Sequence, residues 1–511
     1  MKLVIPAAKV HPGRYRNASA IRGGNPEPVR ANGAWIPACA GMKYERLLAM
    51  TLALAIVTLS GCTLGPDFKQ PFLNFPKSYP ERDIAAAAAP VAPPANWWLL
   101  YSDPVLDKLV AAGLQDNTDV RIAIARLEEA EAFMREVAAA SILPQIDGNV
   151  AAGRSRSSTL TGTLPSTAAP IRNNFQLSAS TSFELDFWGR LRRTREAARA
   201  QYAASSYARD VVGLTLAANI VQTYFVLRGL DAQILVSEET LRAATDTLDI
   251  ARKRAEAGFV SDLDVNQSEA NRAQLGAQLT ELRRQRAAAV HQLGVLTGVP
   301  DLQIAAGDLR GLPNPPLPPA GLPSTLVERR PDVRQAEATL RAANAQIGAA
   351  RAAQLPTFSL TGLFGVQSRE LSSLFSGNAA IWSFGGNMVG PIFDSGRYAA
   401  RTAQAEARAK QAAVTYEKTA LTAFREVADA LSNVRLATDA ELDLASRVEA
   451  ARNSLRLATL RYDSGYSAYL EVLDAQRTLN EAQLALVRNR AQYLAYTVDL
   501  MNALGGGWVP R

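Results

Sequence analysis

Residues Asn173 to Trp188 read NNFQLSASTSFELDFW. The odd positions carry Phe175, Leu177, Ala179, Thr181, Phe183, Leu185 and Phe187; the even ones carry Gln176, Ser178, Ser180, Ser182, Glu184 and Asp186. Successive side chains of a strand point to opposite faces, so this segment is a strand with one greasy side and one side rich in hydroxyls and amides. Such a strand either tucks its apolar face under a second layer of protein or presents it to lipid. The rest of the chain decides which.

A second segment alternates in the same way. Trp382, Phe384, Gly386 and Met388 interleave with Ser383, Gly385, Asn387 and Val389, and weaker strands are expected over Gln145–Ser157 and Thr357–Gln367. The flanking sequence is also written twice. Asp119-Val-Arg121 followed by Leu143-Pro144 returns as Asp332-Val-Arg334 followed by Leu355-Pro356. Phe187-Trp-Gly-Arg190 is echoed by Phe393-Asp-Ser-Gly-Arg397. Arg254-x3-Gly258-x2-Ser261-x-Leu263-Asp264-Val265 matches Arg461-x3-Gly465-x2-Ala468-x-Leu470-Glu471-Val472. The last two correspondences share one shift, since 397 − 190 and 465 − 258 both give 207. A register kept over that span implies two copies of one structural unit. The Pro-rich stretch Leu312 to Pro323 joins them, and neither a helix nor a central strand persists through it.

Each copy reads as helix, strand, turn, strand, very long helix, tight turn, helix. After Gly189 a helical pattern runs to Ala257, and its copy runs from Arg397 to Ser464. Ala, Leu, Arg, Gln and Glu dominate both, and each spans about 100 Å at 1.5 Å per residue. Leu241, Leu248, Leu455 and Tyr462 fit a seven-residue recurrence of the kind coiled coils use. The returning helices, Asp262–Leu296 and Leu470–Leu504, are about half as long, and the leading helices, Asp119–Ala140 and Asp332–Gln354, are shorter. One returning and one leading helix stacked end to end match a long one, which predicts a palisade of helices forming a tube.

With the remainder helical, no second sheet is available to cover the greasy strand faces. Lipid is the alternative, and spanning strands of about 9–11 residues alternate in this manner. Four strands are too few to close a barrel, and an open edge in lipid leaves backbone groups unsatisfied. The barrel must then be shared between chains. Three chains supply twelve strands, whereas two supply eight, a number that leaves little lumen.

The N-terminal region fits export. Met42-Lys-Tyr-Glu-Arg46 precedes the uncharged run Leu47–Leu59, which is too short to span a bilayer and matches a secretory signal. Cys39 and Cys62 are the only cysteines, so neither a disulfide framework nor a four-ligand zinc site is expected. Leu59-Ser60-Gly61-Cys62 resembles the bacterial lipobox, which implies that Cys62 becomes the first mature residue and carries acyl chains. Thr63 after it, in place of Asp, implies onward sorting to the outer membrane. Residues 1–41 fit no export signal and read as a leader from an early start or as a disordered extension.

The charge follows the same division. The formal balance is +7, yet residues 1–61 hold eight Lys/Arg and two Glu, leaving about +1 for the remainder. A nucleic-acid partner is not expected. His291 is the only histidine after Cys62, and it reads as a surface residue on a helix. Nucleophilic triads, metal centres and phosphate-cradling loops have no residues to work with, so no enzyme activity and no cofactor are expected.

Cys62, Arg461-Tyr-Asp-Ser-Gly465, Leu473-Asp-Ala-Gln-Arg477 and Ala503-Leu-Gly-Gly-Gly-Trp508 together resemble TolC/OprM-type outer-membrane efflux proteins, in particular the NodT-like lipoprotein subfamily. The resemblance covers essentially the whole mature chain. It implies a mixed α and β membrane protein: a homotrimer whose twelve-stranded transmembrane β-barrel, four strands per chain, continues into a periplasmic α-helical barrel with a belt around its middle. It further implies a passive conduit that receives small molecules from a resistance–nodulation–division pump of the inner membrane through a periplasmic adaptor. On this reading the chain divides into a leader (1–41), a signal (42–61), a lipid-anchored segment (62–118), a first repeat (119–298), a linker (299–331), a second repeat (332–504) and a tail (505–511).

The glycine turns would form the periplasmic tip and adaptor contact, with Gly258, Phe259, Ser261, Gly465, Tyr466 and Ser467 exposed there. Phe424-Arg-Glu-Val-Ala-Asp429-Ala-Leu431 resembles the segment that carries gate carboxylates near the closed tunnel end, making Asp429 a gate candidate with Arg435 as its partner. Two other readings stand beside this one. The same tunnel could serve an ATP-driven protein secretion system, or the chain could be a structural envelope lipoprotein without a pore.

Overall fold

Residues 190–256 are mostly alanine, leucine, arginine, glutamine and glutamate, and they contain no proline. In the computed structural model they form one unbroken helix of 67 residues, and Arg397–Asp463 forms another of 67. The described residues are 63–73, 76, 79, 94–158, 169–307, 309, 314–315 and 329–506. The signal-like run, Cys62, most of the Pro-rich linker and Trp508 lie outside them.

In chain order the elements are α1 (Pro104–Asp116), α2 (Thr118–Ile142), β1 (Gln145–Arg156), β2 (Ile171–Leu185), α3 (Arg190–Glu256), α4 (Asp262–Thr297), α5 (Pro331–Ala352), β3 (Thr357–Ser368), β4 (Ala380–Val389), α6 (Arg397–Asp463) and α7 (Tyr469–Ala503). The order helix, strand, strand, 67-residue helix, helix therefore occurs in α2–α4 and in α5–α7. Helix α1 is a feature the sequence reading left inside the anchored segment 62–118. It begins with proline at its first position behind Asp103, whose Oδ1 accepts from the Val105 N–H at 2.9 Å. Its Leu106, Leu109, Val110 and Gly113 face inward, and a Cβ on Gly113 would meet Ile220 at 2.3 Å, so the two helices nearly touch there.

The four strands form one antiparallel sheet in the order β1-β2-β3-β4. Directly opposed residues share a face. Val150 faces Leu177, Leu177 faces Val366, and Val366 faces Ala380, giving an apolar row across all four strands, with Phe364 and Trp382 on the same face one rung away. On the other side Asp147 faces Ser180, Ser182 faces Thr361, and Gln176 faces Gln367. Ile146, Val150, Leu177, Leu360, Phe364, Trp382, Phe384 and Met388 are all exposed.

The largest core lies on the helices, at mid-length of α3. Trp97, Tyr101, Leu106, Ile220, Tyr224, Phe225, Leu293, Leu494, Val498 and Met501 are buried together. Each such side chain contributes about 1.5–3 kcal/mol by leaving water. Tyr101 and Thr497 share a hydrogen bond at 2.7 Å inside this cluster. The α3–α5 and α5–α6 seams are built mainly from alanines such as Ala338, Ala342, Ala345 and Ala405, whose small size lets long helices lie close together.

Candidate functional site

On the reading the sequence suggests, the places to inspect are the walls, the ends and what fixes the chain in place. The sheet supplies one wall. Its exposed apolar face and its polar face are separated by the parity of the strands, and β1 and β4 leave one edge each without a strand partner among the described residues.

Where the sheet meets the helices the chain is fastened tightly. Gly189 turns with φ +78°, and Asp186 accepts from the backbone N–H groups of Leu191 (3.1 Å) and Arg192 (2.9 Å), satisfying free donors at the start of α3. Arg190 grips Glu184, with Nε donating at 3.0 Å, and this hydrogen bond is the main reason its guanidinium holds its proton even more firmly than usual. Phe187 meets Phe358 edge-on at 5.0 Å, and the Trp188 indole donates to the Pro356 carbonyl at 2.8 Å.

Residues 63–73 run down from this junction as a strap. Thr63 lies against Gly189 so closely that a Cβ there would meet its Cα at 2.9 Å. Leu64 N–H donates to the Trp188 carbonyl. The buried Arg193 then donates to the carbonyls of Leu64 (3.2 Å) and Gly65 (3.4 Å) and to Asp67 (2.7 Å). Asn344 holds the Pro66 carbonyl at 2.9 Å, Arg341 lies over the Phe68 ring, and Gln70 donates to Tyr416. Further down, Tyr79 stacks on Phe424. The strap is not legible in the sequence, because its fastenings are 124 residues or more from it along the chain (188 − 64).

At mid-length an ionic cluster ties the segment after α4 onto α3. Asp231 accepts from Arg286 Nε at 2.6 Å, from Arg228 Nη1 at 3.0 Å and from the Gly307 N–H at 3.0 Å. The two arginines also donate to the carbonyls of Ala305 and Ile304. Arg228 Nε donates to the Tyr224 hydroxyl, which donates in turn to Asp103 at the start of α1. Burial, with the Asp103 carboxylate adding to it, pushes the Tyr224 phenol up, so it stays a proton donor. Removing one partner from such a buried set is costly, because the charge left behind has no water.

The far end carries the two glycine turns. Gly258 (φ +75°) and Gly465 (φ +77°) take the left-handed conformation that ends α3 and α6. Phe259 N–H closes back on the Arg254 carbonyl and Tyr466 N–H on that of Arg461, both at 2.8 Å. The Phe259 and Tyr466 rings are exposed. Ser261 caps α4 by accepting from Leu263 N–H, whereas Ala468 gives α7 no side-chain cap. Ser467 is partly buried, with its hydroxyl turned inward. The turns are braced together, since Arg254 donates to Asp463 at 3.1 Å and lies over the Tyr462 ring.

Asp429 and Arg435 are not at this end. Asp429 lies 34 residues before the end of α6 (463 − 429), about 50 Å away along a continuous helix. That position corrects the expectation of a gate carboxylate close to the tip. Asp429 is exposed and paired with Arg425 at 3.4 Å, and Arg435, six residues on, points about 120° away around the helix. The carboxylates that do follow the second turn are Glu471, 3.6 Å from Arg461, and Asp474. Among the described residues no three His, Cys, Asp or Glu side chains gather as a metal site.

The chain matches the family model "Outer membrane efflux protein" over residues 109–299 and 322–506. It is 35% identical over 484 residues to the solvent efflux pump outer membrane protein SrpC of Pseudomonas putida, covering 89% of this chain and 97% of that protein. It is 34% identical over 469 residues to the cation efflux system protein CusC of Escherichia coli, covering 91% and 99%. Among solved structures, the open state of the Neisseria gonorrhoeae MtrE outer membrane channel superposes with a TM-score of 0.78 at 30% identity, covering 87% of this chain and 98% of that one. With the family model matched over most of its length and relatives at 34–35% identity, this chain belongs to the outer membrane efflux protein family.

Proposed function

We propose that three copies of this chain form a passive outer-membrane conduit for small molecules, fed from the inner membrane by a pump and a periplasmic adaptor. The carrying observation is the sheet. Its apolar face is exposed across all four strands, and both its edges lack strand partners among the described residues. Closing four-stranded sheets around an axis places Phe183 and its row against acyl chains and Ser182 and its row around a shared aqueous bore. Twelve strands close with a lumen, and the helices continue that lumen into the periplasm.

The remaining roles follow from position. Thr63 sits at the sheet–helix junction, so an acylated Cys62 beside it would enter the membrane at the level where the barrel does. The turns at Gly258, Phe259, Ser261, Gly465 and Tyr466 offer an exposed tip to an adaptor, with the half-buried Ser467 supporting the second turn from beneath. Glu471 and Asp474 place carboxylates just above that tip, and Asp429 and Arg435 place charge at mid-length. Drugs, metabolites and metal ions all fit a bore of hydroxyls and amides, and the energy for export comes from the pump.

Two measurements test this. Purified protein in a planar bilayer is expected to conduct as a trimer, and silence under conditions that unlock its tip counts against the pore. Single cysteines at Phe183 and Ser182 are expected to separate, the first reacting with bilayer-soluble reagents and the second with aqueous ones.

A further inference from the structure

Resting on the shared-barrel reading, we propose that each seam between copies carries a binding site for a phosphate-bearing lipid headgroup of the outer leaflet. Its arginines are Arg154 and Arg156 of one copy, and its aromatic wall is Trp382 and Phe384 of the next.

The first observation is misplaced charge. Along β1 the residues sharing the apolar face are Ile146, Gly148, Val150 and Ala152, opposed by Thr181, Ala179, Leu177 and Phe175. The next two on that face are Arg154 and Arg156. Neither has an ion-pair partner among the described residues. An arginine is tolerated on a lipid-facing surface only near the interface. Ten residues separate Ile146 from Arg156, which at about 3.3 Å per residue and a tilt of about 40° is about 25 Å, the height of the apolar band of an outer-membrane barrel. With Ile146 at the helical end, the arginines reach the headgroups of the opposite leaflet.

The second observation fixes their neighbours. Within the chain β2 pairs with β3, joining the first half to the second. Pro144 and Pro356 correspond, a shift of 212 from β1 to β3 (356 − 144). The ladders give 207 from β2 to β4, because Val150 opposes Leu177 while Gly362 (150 + 212) opposes Phe384 (177 + 207). Applying the β2–β3 register to β4 and the β1 of the next copy converts Leu177–Val366 into Phe384–Arg154 (366 − 212), and Phe175–Ser368 into Trp382–Arg156 (368 − 212). The same step sets Met388 against Val150. Apolar residues meet apolar ones, and a slip of one residue would exchange the faces.

The seam therefore presents two guanidinium forks beside two aromatic rings at headgroup depth. Planar forks suit phosphate oxygens bidentately, and the rings pack against the glycerol or sugar and the upper acyl chain. A zwitterionic headgroup offers less, because its own cation competes for the phosphate.

The test uses purified full-length trimer and native mass spectrometry, with diphosphorylated lipid A as probe. Dephosphorylated lipid A and inorganic phosphate are the comparison arms. Wild type is expected to retain the phosphorylated lipid. The double variant R154S/R156S should retain it at least about tenfold less, R154K/R156K should recover part, and W382A should weaken it by a smaller factor. Arg172→Ser, on the polar face opposite Ser155, should change nothing. Equal retention by R154S/R156S, equal loss in Arg172→Ser, or inorganic phosphate displacing the lipid would each overturn the site. Conductance separates the two readings. A double variant that loses lipid but still conducts supports the site, whereas wild type that neither assembles nor conducts removes the barrel and the seam together.

Discussion

The two strand-to-helix junctions use one backbone device with different fillings. Gly189 and Gly396 turn at φ +78° and +81°, and an aspartate accepts the free N–H groups of the following helix in both: Asp186 in the first, Asp394 from Gly396 (3.1 Å) and Tyr398 (2.8 Å) in the second. In the first, Phe187 and Trp188 rest on the second half of the same chain, and the strap closes over the glycine. In the second, Ile392 and Phe393 are 104% and 87% exposed, and no described residue comes within 4 Å of where a Cβ on Gly396 would sit. On the proposed trimer, the second half would find on another copy what the first finds inside the chain. Equal backbones with unequal surroundings are what the proposed trimer requires, with the second junction as its contact side.

Breaking the first junction should have the largest effect. Arg193 has no counterpart in the second half, where Ala400 stands 207 residues on. Arg193→Ala should release the strap at a cost of about 3 kcal/mol, since two carbonyl contacts and an ion pair go at once. Hydrogen exchange should rise in residues 63–73 and stay unchanged in α7. The second junction should instead fail at assembly. Ile392→Asp should weaken the trimer by about 2 kcal/mol per subunit while helical content persists, read by the temperature at which trimers dissociate in detergent. The transferred register places Ile392 beside Ile146 of the next copy, so cysteines at those two positions should cross-link between chains.

The glycines sharpen the contrast. Alanine at either position meets the left-handed penalty of about 1–2 kcal/mol. Gly189→Ala should exceed Gly396→Ala by about 1 kcal/mol or more, because only the first Cβ strikes Thr63. Equal losses would mean that the strap adds no constraint. At the tips, where Ser261 caps one helix and Ala468 leaves the other uncapped, Ala468→Ser should raise stability by about 0.5–1 kcal/mol.

The smallest effect concerns pH. Backbone donation from Tyr398 and Gly396 lowers the Asp394 carboxyl below the ordinary 3.8. A carboxyl depressed by folding stabilises above the unfolded value and loses that contribution as pH falls through its folded value. Asp394→Asn should therefore differ from wild type at pH 6 and converge with it well below pH 4 in thermal unfolding.

Much of this was legible in residues that act locally. Odd–even alternation from Phe175 to Leu185 forecast both faces of β2, and the unbroken helix formers after Gly189 and Gly396 forecast α3 and α6. Gly258 and Gly465 marked both turns because only glycine enters a left-handed cap without strain. The site was less legible. Nothing near Arg193 announces Leu64, and nothing near Asp231 announces Gly307. The height of Asp429 was not legible, because a motif names residues and not their position along a helix of about 100 Å.

By itself the sequence determined what depends on neighbours a few residues apart: strand faces, helix lengths and turn positions. Tertiary structure alone decided what depends on residues far apart meeting: the strap on α3, the ionic cluster at mid-length, the filled and the open junction. Periodicity is written by sterics and solvent at each residue, whereas a long-range contact is specified by two surfaces whose match appears only once the chain has brought them together.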